Sequence, residues 1–191
     1  MLSDTRFIAA ADVTPIAWRE IGTGRPLLLV HGYFAGAHAH WIRPGHAAVL
    51  ACAGARVIMP DLRGHGESGK PHDPRAYPSD VLAQDMQALV AALALRDYDI
   101  VGYSLGDRVV VRMLAHGASP RRVILGGTGL EGIVAAESRA DYLRPYSTIS
   151  ADTHPAARHG WRKASYGPTR AIRRRCGWSS TPSSAHRSIS W

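Results

Sequence analysis

The chain has 191 residues, of which 46% are hydrophobic and 20% charged, and its formal net charge is +8, a composition typical of one globular domain. No apolar run approaches the roughly 20 residues that span a bilayer. The N-terminus does not have the basic region and following apolar stretch of a secretory signal. We therefore expect a cytoplasmic protein without membrane contact. The two cysteines, Cys52 and Cys176, indicate neither a disulfide framework nor a metal site, and no metal or other cofactor is expected.

Apolar runs alternate with helix-like segments along the first 125 residues. Short continuous apolar runs are typical of strands that are buried on both faces of a parallel sheet. Strands are predicted at 6–13, 16–21, 27–30, 57–59, 98–101 and 122–125. Helices are predicted at 47–53, 81–95 and 108–116, the second of them capped by Ser79-Asp80. This alternation predicts an α/β fold with a doubly wound, mostly parallel sheet.

The pentapeptide Gly-Tyr-Ser-Leu-Gly at 102–106 stands between a predicted strand and a predicted helix. A serine on a sharp strand-to-helix turn projects its hydroxyl above the sheet. The flanking glycines are needed because side chains there would collide with the neighbouring strand and helix. The pattern therefore predicts a nucleophile elbow with Ser104 as the nucleophile. The alternative is a serine that only caps the following helix.

Two further motifs precede the elbow in order. His-Gly-Tyr-Phe at 31–34 follows the third predicted strand, and Asp-Leu-Arg-Gly-His-Gly-Glu-Ser at 61–68 follows the fourth. With the elbow, they make the chain resemble the α/β-hydrolases of the esterase, lipase and peroxidase-like type over roughly residues 6 to 145. The resemblance implies a serine hydrolase that acts on small ester-like or related acyl substrates through Ser104. A serine at the elbow argues against epoxide hydrolases and haloalkane dehalogenases, relatives that carry aspartate there.

The resemblance also implies roles for residues beside the nucleophile. The backbone N–H groups of Leu105 and Tyr33 would form the oxyanion hole, which stabilises the negative oxygen of a tetrahedral intermediate. His31 and Gly32 would shape the loop after the third strand, so His31 is not expected to be the catalytic base.

The loop motif at 61–68 is expected to be structural. Its polar residues would hydrogen-bond neighbouring loops, and its glycines would permit tight turns; the residues concerned are Asp61, Arg63, His65 and Gly66. Asp107 departs from the family pattern, which usually has a small residue after the last glycine of the elbow. We expect Asp107 either to cap the following helix or to hinder close packing.

An acid and then a histidine should follow the serine in this family. Neither of the strands that would hold them is recognisable in the sequence. Glu131 is the best candidate for the acid, because it lies just past the predicted strand 122–125. His116, at the end of the elbow helix, would point away from Ser104. The later histidines have no evident scaffold to bring them within the roughly 3 Å that a base needs, so no base is assigned; they are His154, His159 and His186.

Residues 151–191 differ in composition from the rest of the chain. They carry 8 basic residues and one acid, whereas residues 1–150 carry 15 basic and 14 acidic residues. Their only aliphatic residues larger than alanine are Ile172 and Ile189. Such a segment buries too little apolar surface to offset the entropy of ordering. We therefore expect a hydrolase core at 1–150, ending at the start of a lid, and a disordered basic tail at 151–191.

The basic tail has three interpretations. It is a linker or basic arm, or it is a product of a shifted reading frame in a GC-rich gene, with the core truncated at its C-terminal end. The third interpretation is an arm that binds nucleic acid or an acidic surface. It is weaker, because the arginines have no ordered binding motif around them, so nucleic acid is not an expected partner. The truncation favours an alternative function, a catalytically inactive remnant of a hydrolase that lacks the acid and the histidine.

Overall fold

The computed structural model describes residues 1–127, and the structural statements below concern that part of the chain. Its strands are β1 (Arg6–Ala9), β2 (Pro15–Ile21), β3 (Arg25–Val30), β4 (Ala55–Pro60), β5 (Asp99–Tyr103) and β6 (Arg122–Gly126). Its α-helices are α1 (His46–Cys52), α2 (Val81–Ala92) and α3 (Leu105–Ala115), accompanied by a π-helical turn (His38–Ile42) and a 3-10 turn (Pro74–Ala76). No helix within 1–127 has the length and apolar character needed to cross a membrane.

The strands form one six-stranded sheet in the order β1-β2-β4-β3-β5-β6. β4, β3, β5 and β6 run parallel, while β2 is antiparallel to both β1 and β4. Val30 lies opposite Gly102 in the register of β3 and β5, so these two strands end side by side. This register brings the loop after β3 against the turn after β5. The α/β fold with a mostly parallel sheet is confirmed.

Both faces of the central strands are buried. On β3, Leu28 and Val30 belong to the core that includes α2 and α3, whereas Leu29 belongs to a second core with Ala47 of α1. On β4, Ile58 belongs to the first core and its neighbours to the second. Because alternate side chains of a strand point to opposite faces, the continuous apolar runs of the sequence follow directly from helices on both sides of the sheet.

Several element ends differ from the predictions. The first strand stops at Ala9 rather than at residue 13, because Ala10 N–H donates to the Thr14 carbonyl at 2.9 Å and Val13 takes a positive φ of 61°. The second helix ends at Ala92 rather than at residue 95. Ala94 there has a φ of 49°, which is a left-handed conformation that ends the helix.

The predicted Ser79-Asp80 helix cap was wrong. Asp80 does occupy the N-cap position of α2, but its φ of 69° is left-handed and its side chain accepts no capping hydrogen bond. The Asp80 carboxylate instead accepts hydrogen bonds from Arg112 of α3, and His116 lies 3.2 Å from it. An acidic side chain that pairs between two helices is not available to cap its own helix.

Candidate active site

The turn between β5 and α3 is built on a backbone conformation that is rare for serine. Ser104 has a φ of 54° and a ψ of −111°, outside the usual regions for a residue with a side chain. Its N–H donates to the Gly126 carbonyl at 2.8 Å, and its carbonyl accepts from Asp107 N–H at 3.0 Å. Ser104 is the N-cap residue of α3, yet its side chain makes no capping hydrogen bond. The helix-cap alternative therefore does not describe this serine.

Two glycines make this turn possible. A Cβ on Gly102 would lie 2.6 Å from the Gly106 carbonyl oxygen. A Cβ on Gly106 would lie 2.3 Å from the Val30 oxygen and 2.9 Å from the His31 oxygen. Contacts this short to backbone atoms are not tolerated, so only glycine allows α3 to start against the end of β3. The steric reason expected for these glycines is confirmed.

The loop after β3 packs directly on the turn. A Cβ on Gly32 would lie 3.1 Å from the Ser104 Cβ and 3.1 Å from the Tyr103 carbonyl oxygen. The next residue, Tyr33, has a half-exposed side chain whose ring stacks edge-on against Phe34, with ring centroids 4.4 Å apart. Leu105 is the first residue of α3, where backbone N–H groups have no partner within the helix. Leu105 thus follows Ser104 directly along the chain, and Gly32, the residue before Tyr33, packs on Ser104 across the sheet.

His31 is fully buried beneath this loop, and both of its ring nitrogens are engaged. Leu62 N–H donates to Nε2 at 2.9 Å, so Nε2 carries no proton. Nδ1 therefore carries the proton and donates it to the Gly32 carbonyl at 2.8 Å. Burial lowers the pKa of His31 to about 4. A histidine held in this way positions the loop and has no nitrogen left to act as a base, in agreement with the expectation.

His40 is a residue of this region that the sequence analysis missed. It lies on the π-helical turn between β3 and α1, and its Nδ1 accepts a hydrogen bond from Gly32 N–H at 3.1 Å. Its Cε1 would be 3.2 Å from a Cβ on Gly32. Its half-buried ring also packs edge-on against Tyr103 at 5.2 Å between centroids. The sequence signal that could have found it is a His-Ala-His-Trp run shortly after the His-Gly motif.

Asp61 joins the loop after β3 to the loop after β4. Its Oδ1 accepts from Ala37 N–H at 2.7 Å and its Oδ2 from Glu67 N–H at 2.9 Å. A Cβ on Gly66 would lie 2.1 Å from the Asp61 carboxyl carbon, so the loop passes over the carboxylate without room for a side chain. These contacts confirm the structural role expected for Asp61 and Gly66.

Arg63 is a second buried anchor in the same motif. All five of its guanidinium N–H groups have acceptors: Asp85 of α2 and Asp12 of the β1–β2 turn each take two, and the Ala76 carbonyl takes one. The hydrogen bonds to Asp85 raise the pKa of Arg63, and those from Arg63 lower the pKa of Asp12. One side chain thereby fixes three segments, which confirms its expected structural role.

Asp107 fulfils neither of the two expectations stated for it. Its side chain is fully buried, and its Oδ1 accepts a hydrogen bond from Gly126 N–H at 2.9 Å. It therefore ties α3 to the end of β6 rather than capping the helix, and α3 still starts against β3. Its Oδ2 is buried without a hydrogen-bond partner. A lone buried carboxylate oxygen of this kind carries a cost in stability.

The remaining candidates lie away from Ser104 or outside 1–127. His116 follows the last residue of α3, at the end opposite Ser104, where it pairs with Asp80. Glu131, the tail at 151–191 and its three histidines lie outside the residues that the structure describes. Within 1–127, no group of three His, Cys, Asp or Glu side chains could hold a metal ion.

A cavity of about 450 Å³ lies beside the loop after β3. It is lined by residues 34–36, 38–39, 64–67 and 70 together with Arg19 and Asp61, and Ser104 does not line it. Its charged walls are already paired, because Arg19 donates to Glu67 and lies 3.9 Å from Asp61. This cavity belongs to the loops that support the site rather than to the space above the serine.

Known proteins share this architecture. A family model for the alpha/beta hydrolase fold matches residues 25–162. The chain is 38% identical over 126 residues to a non-heme haloperoxidase of Rhodococcus erythropolis, covering 63% of this chain and 43% of that protein. It is 34% identical over 113 residues to a fluoroacetate dehalogenase of a Burkholderia species, covering 58% of this chain and 36% of the relative.

A solved structure gives the same result. An esterase from Exiguobacterium antarcticum superposes with a TM-score of 0.58 at 30% identity, covering 64% of this chain and 44% of the esterase. The chain therefore spans less than half the length of the relatives it matches. The names haloperoxidase, dehalogenase and esterase describe those proteins. What this chain shares with them is the fold.

Proposed function

The chain belongs to the α/β-hydrolase fold family, and we propose that it is a serine hydrolase that cleaves small ester-like or related acyl substrates. The observation that carries this proposal is the backbone of Ser104, which is held in a strained strand-to-helix turn between two obligatory glycines. This is the geometry that exposes a nucleophile above the sheet of such enzymes. A serine at this position favours acyl transfer over the chemistry of relatives with an aspartate there.

The proposed reaction begins with attack of the Ser104 hydroxyl oxygen on the substrate carbonyl carbon. The carbonyl oxygen becomes negative and accepts hydrogen bonds from the N–H groups of Tyr33 and Leu105. The N-terminal end of α3 adds a favourable dipole at the same place. Loss of the alcohol leaves an acyl group on Ser104, and water then releases the acid. A base must take the serine proton and return it to the departing alcohol, and it must take and return a proton of water in the second half of the reaction. That base is not assigned, and Glu131 remains the candidate for the carboxylate that would orient it.

A catalytically inactive relative is the second candidate function. It is favoured by the sequence after Ser104, where no acid or histidine stands on a recognisable strand, and by two histidines within 1–127 that are not available as a base. His31 has both nitrogens engaged, and His116 is paired at the far end of α3. Under this alternative the protein would keep the elbow and the oxyanion loop without an activated nucleophile.

A fluorophosphonate probe separates the two functions, because it reacts only with an activated serine. We expect stoichiometric labelling of the full chain, no labelling of Ser104→Ala, and unchanged labelling of Ser79→Ala, which alters an exposed serine. Circular dichroism of each variant establishes that it is folded. An absence of labelling in folded wild-type protein would establish the inactive alternative. If the wild-type protein does label, hydrolysis of a panel of p-nitrophenyl esters with increasing acyl length would define the preferred acyl group.

A further inference from the structure

The π-helical turn puts a histidine against the oxyanion loop. Gly32 is buried, and among residues 1–127 the acceptor recorded for its N–H is Nδ1 of His40. A buried N–H group without an acceptor is strongly unfavourable. The hydrogen bond from Gly32 to His40 is therefore a constraint on the direction of the peptide group that enters the loop.

That constraint is transmitted to the nucleophile. The next peptide group along the chain carries the N–H of Tyr33. The position of a Cβ on Gly32 is 3.2 Å from the His40 Cε1 and 3.1 Å from the Ser104 Cβ, so the ring and the serine lie on the same side of the glycine. The peptide group that carries the N–H of Tyr33 also carries the Gly32 carbonyl, which accepts from His31 Nδ1 at 2.8 Å. His40 holds the rigid peptide group before Gly32 and His31 holds the one after it, so together they limit the directions open to the N–H of Tyr33.

We propose that His40 is a positioning residue, whose Nδ1 holds the Gly32 peptide so that the Tyr33 N–H faces the space above Ser104. The inference rests on the proposed hydrolase function, and it adds to the site a positioning residue that lies on the turn between β3 and α1. The role requires a neutral ring, because a protonated Nδ1 would donate rather than accept. Burial lowers the pKa of His40, which favours the neutral form.

Other titratable groups surround this ring. His31, at the end of β3, lies 6.3 Å away between ring centroids, and Tyr103 of β5 lies 5.2 Å away. On the far side, Trp41 separates His40 from His46 of α1. Of the variants below, His40→Asn removes only the titration of His40 and leaves these neighbours in place.

Substitutions can separate the acceptor from the rest of the ring. Asparagine places its Oδ1 the same number of bonds from the backbone as Nδ1, so His40→Asn keeps the acceptor for Gly32. Glutamine places its amide nitrogen where Nε2 lies, so His40→Gln keeps a donor and loses that acceptor. His38→Asn, on the same turn with an exposed side chain, is the matched control.

The first test is the rate of fluorophosphonate labelling. We expect His40→Asn and His38→Asn to label close to the wild-type rate, and His40→Gln and His40→Ala to label roughly 10- to 100-fold more slowly. As the pH falls below 6.5, the ratio of the wild-type rate to the His40→Asn rate should decrease. Full activity in His40→Gln with loss in His40→Asn would overturn the proposal in favour of a direct donor to substrate. Equal rates in all variants would also overturn it.

The second test needs no reactive serine. In ¹⁵N NMR spectra we expect the His40 ring to carry its proton on Nε2, and hydrogen exchange of the Gly32 amide to be slow in wild type and His40→Asn but fast in His40→Gln. A wild-type protein that fails to label but shows this pattern refutes the hydrolase function while leaving the contact intact. Fast exchange of Gly32 in the wild type refutes the positioning role itself.

Discussion

His31 is a titratable side chain whose protonation state is set by its surroundings. Leu62 N–H needs an unprotonated Nε2, and complete burial of the ring disfavours an imidazolium. The pKa of about 4 follows from burial as its largest cause. The stability of the fold is therefore linked to pH through one residue next to the site.

The sign of that linkage follows from proton uptake. Below pH 6.5 the unfolded chain protonates this histidine, while the folded chain does so only near pH 4, so the unfolded state binds more protons in between. We expect the contribution of His31 to the free energy of unfolding to fall by about 3 kcal/mol from pH 7 to pH 4. Urea denaturation at a series of pH values measures it.

The matched control is His72→Asn, which alters an exposed histidine and should keep the full dependence on pH. His31→Asn should reduce the slope of the curve between pH 6.5 and pH 4, whatever its stability at pH 7, and the slope that remains includes the contribution of His40, whose pKa burial also lowers. A wild-type curve that is flat over this range would contradict a buried, neutral His31.

Residues differ in how far the sequence predicts them. The sharp turn at Ser104 was predictable because the elbow pattern is local, and each glycine is required by atoms within a few residues or on the adjacent strand. His40 was not, because its contact with Gly32 depends on the geometry of one irregular turn. Asp107 was recognised as unusual, but its partner, the N–H of Gly126, lies at the end of β6, 19 residues away.

At the scale of elements, the packing of α3 on β3 controls the site. α3 begins one residue after Ser104, three residues earlier than the sequence predicted, because the turn needs no linker. Helical periodicity could not show this start, since the first turn of α3 contains Gly106 and the buried Asp107 instead of an apolar stripe. β3 and β4 were predicted well, because burial on both faces leaves an unbroken apolar run.

Gly106→Ala tests that packing. Its Cβ would meet the Val30 carbonyl oxygen at 2.3 Å, so α3 must move away from β3. We expect a loss of about 1–3 kcal/mol in the free energy of unfolding together with loss of fluorophosphonate labelling. Gly126→Ala is the control, because a Cβ there has its nearest contacts at 3.8 Å and the residue has no positive φ. Wild-type labelling in folded Gly106→Ala would contradict the steric requirement.

At the scale of the whole molecule, the chain combines a nearly neutral part with a strongly basic one. Residues 1–150 differ by a single charge between bases and acids, so the net charge of +8 arises mainly in 151–191. The boundary near residue 150 and the nature of the basic segment remain predictions from composition. They could not be taken further from the sequence, because no apolar periodicity there defines an element.

The shifted-frame interpretation of residues 151–191 makes a prediction about the gene. A one-base shift near codon 150 should give a reading frame that continues with apolar strand-forming runs, an aspartate and a late histidine in the order that the family requires. Sequencing of the locus and its transcript measures this directly. If the alternative frames contain only stop codons or aperiodic polar sequence, the interpretation is wrong and the basic segment is an arm or linker.

The strained backbone of Ser104 has a consequence for the order in which the protein assembles. A conformation of this kind costs of order 1–3 kcal/mol and persists only where its surroundings enforce it. Those surroundings are the end of β3, which meets Gly106, and the carbonyl of Gly126 in β6, which accepts the serine N–H. During synthesis, a chain that has emerged past Ser104 but not past β6 contains this serine without the contacts that enforce its backbone conformation. We therefore expect any chemical reactivity of this serine to appear late in folding, only after β3 and β6 have both joined the sheet beside it.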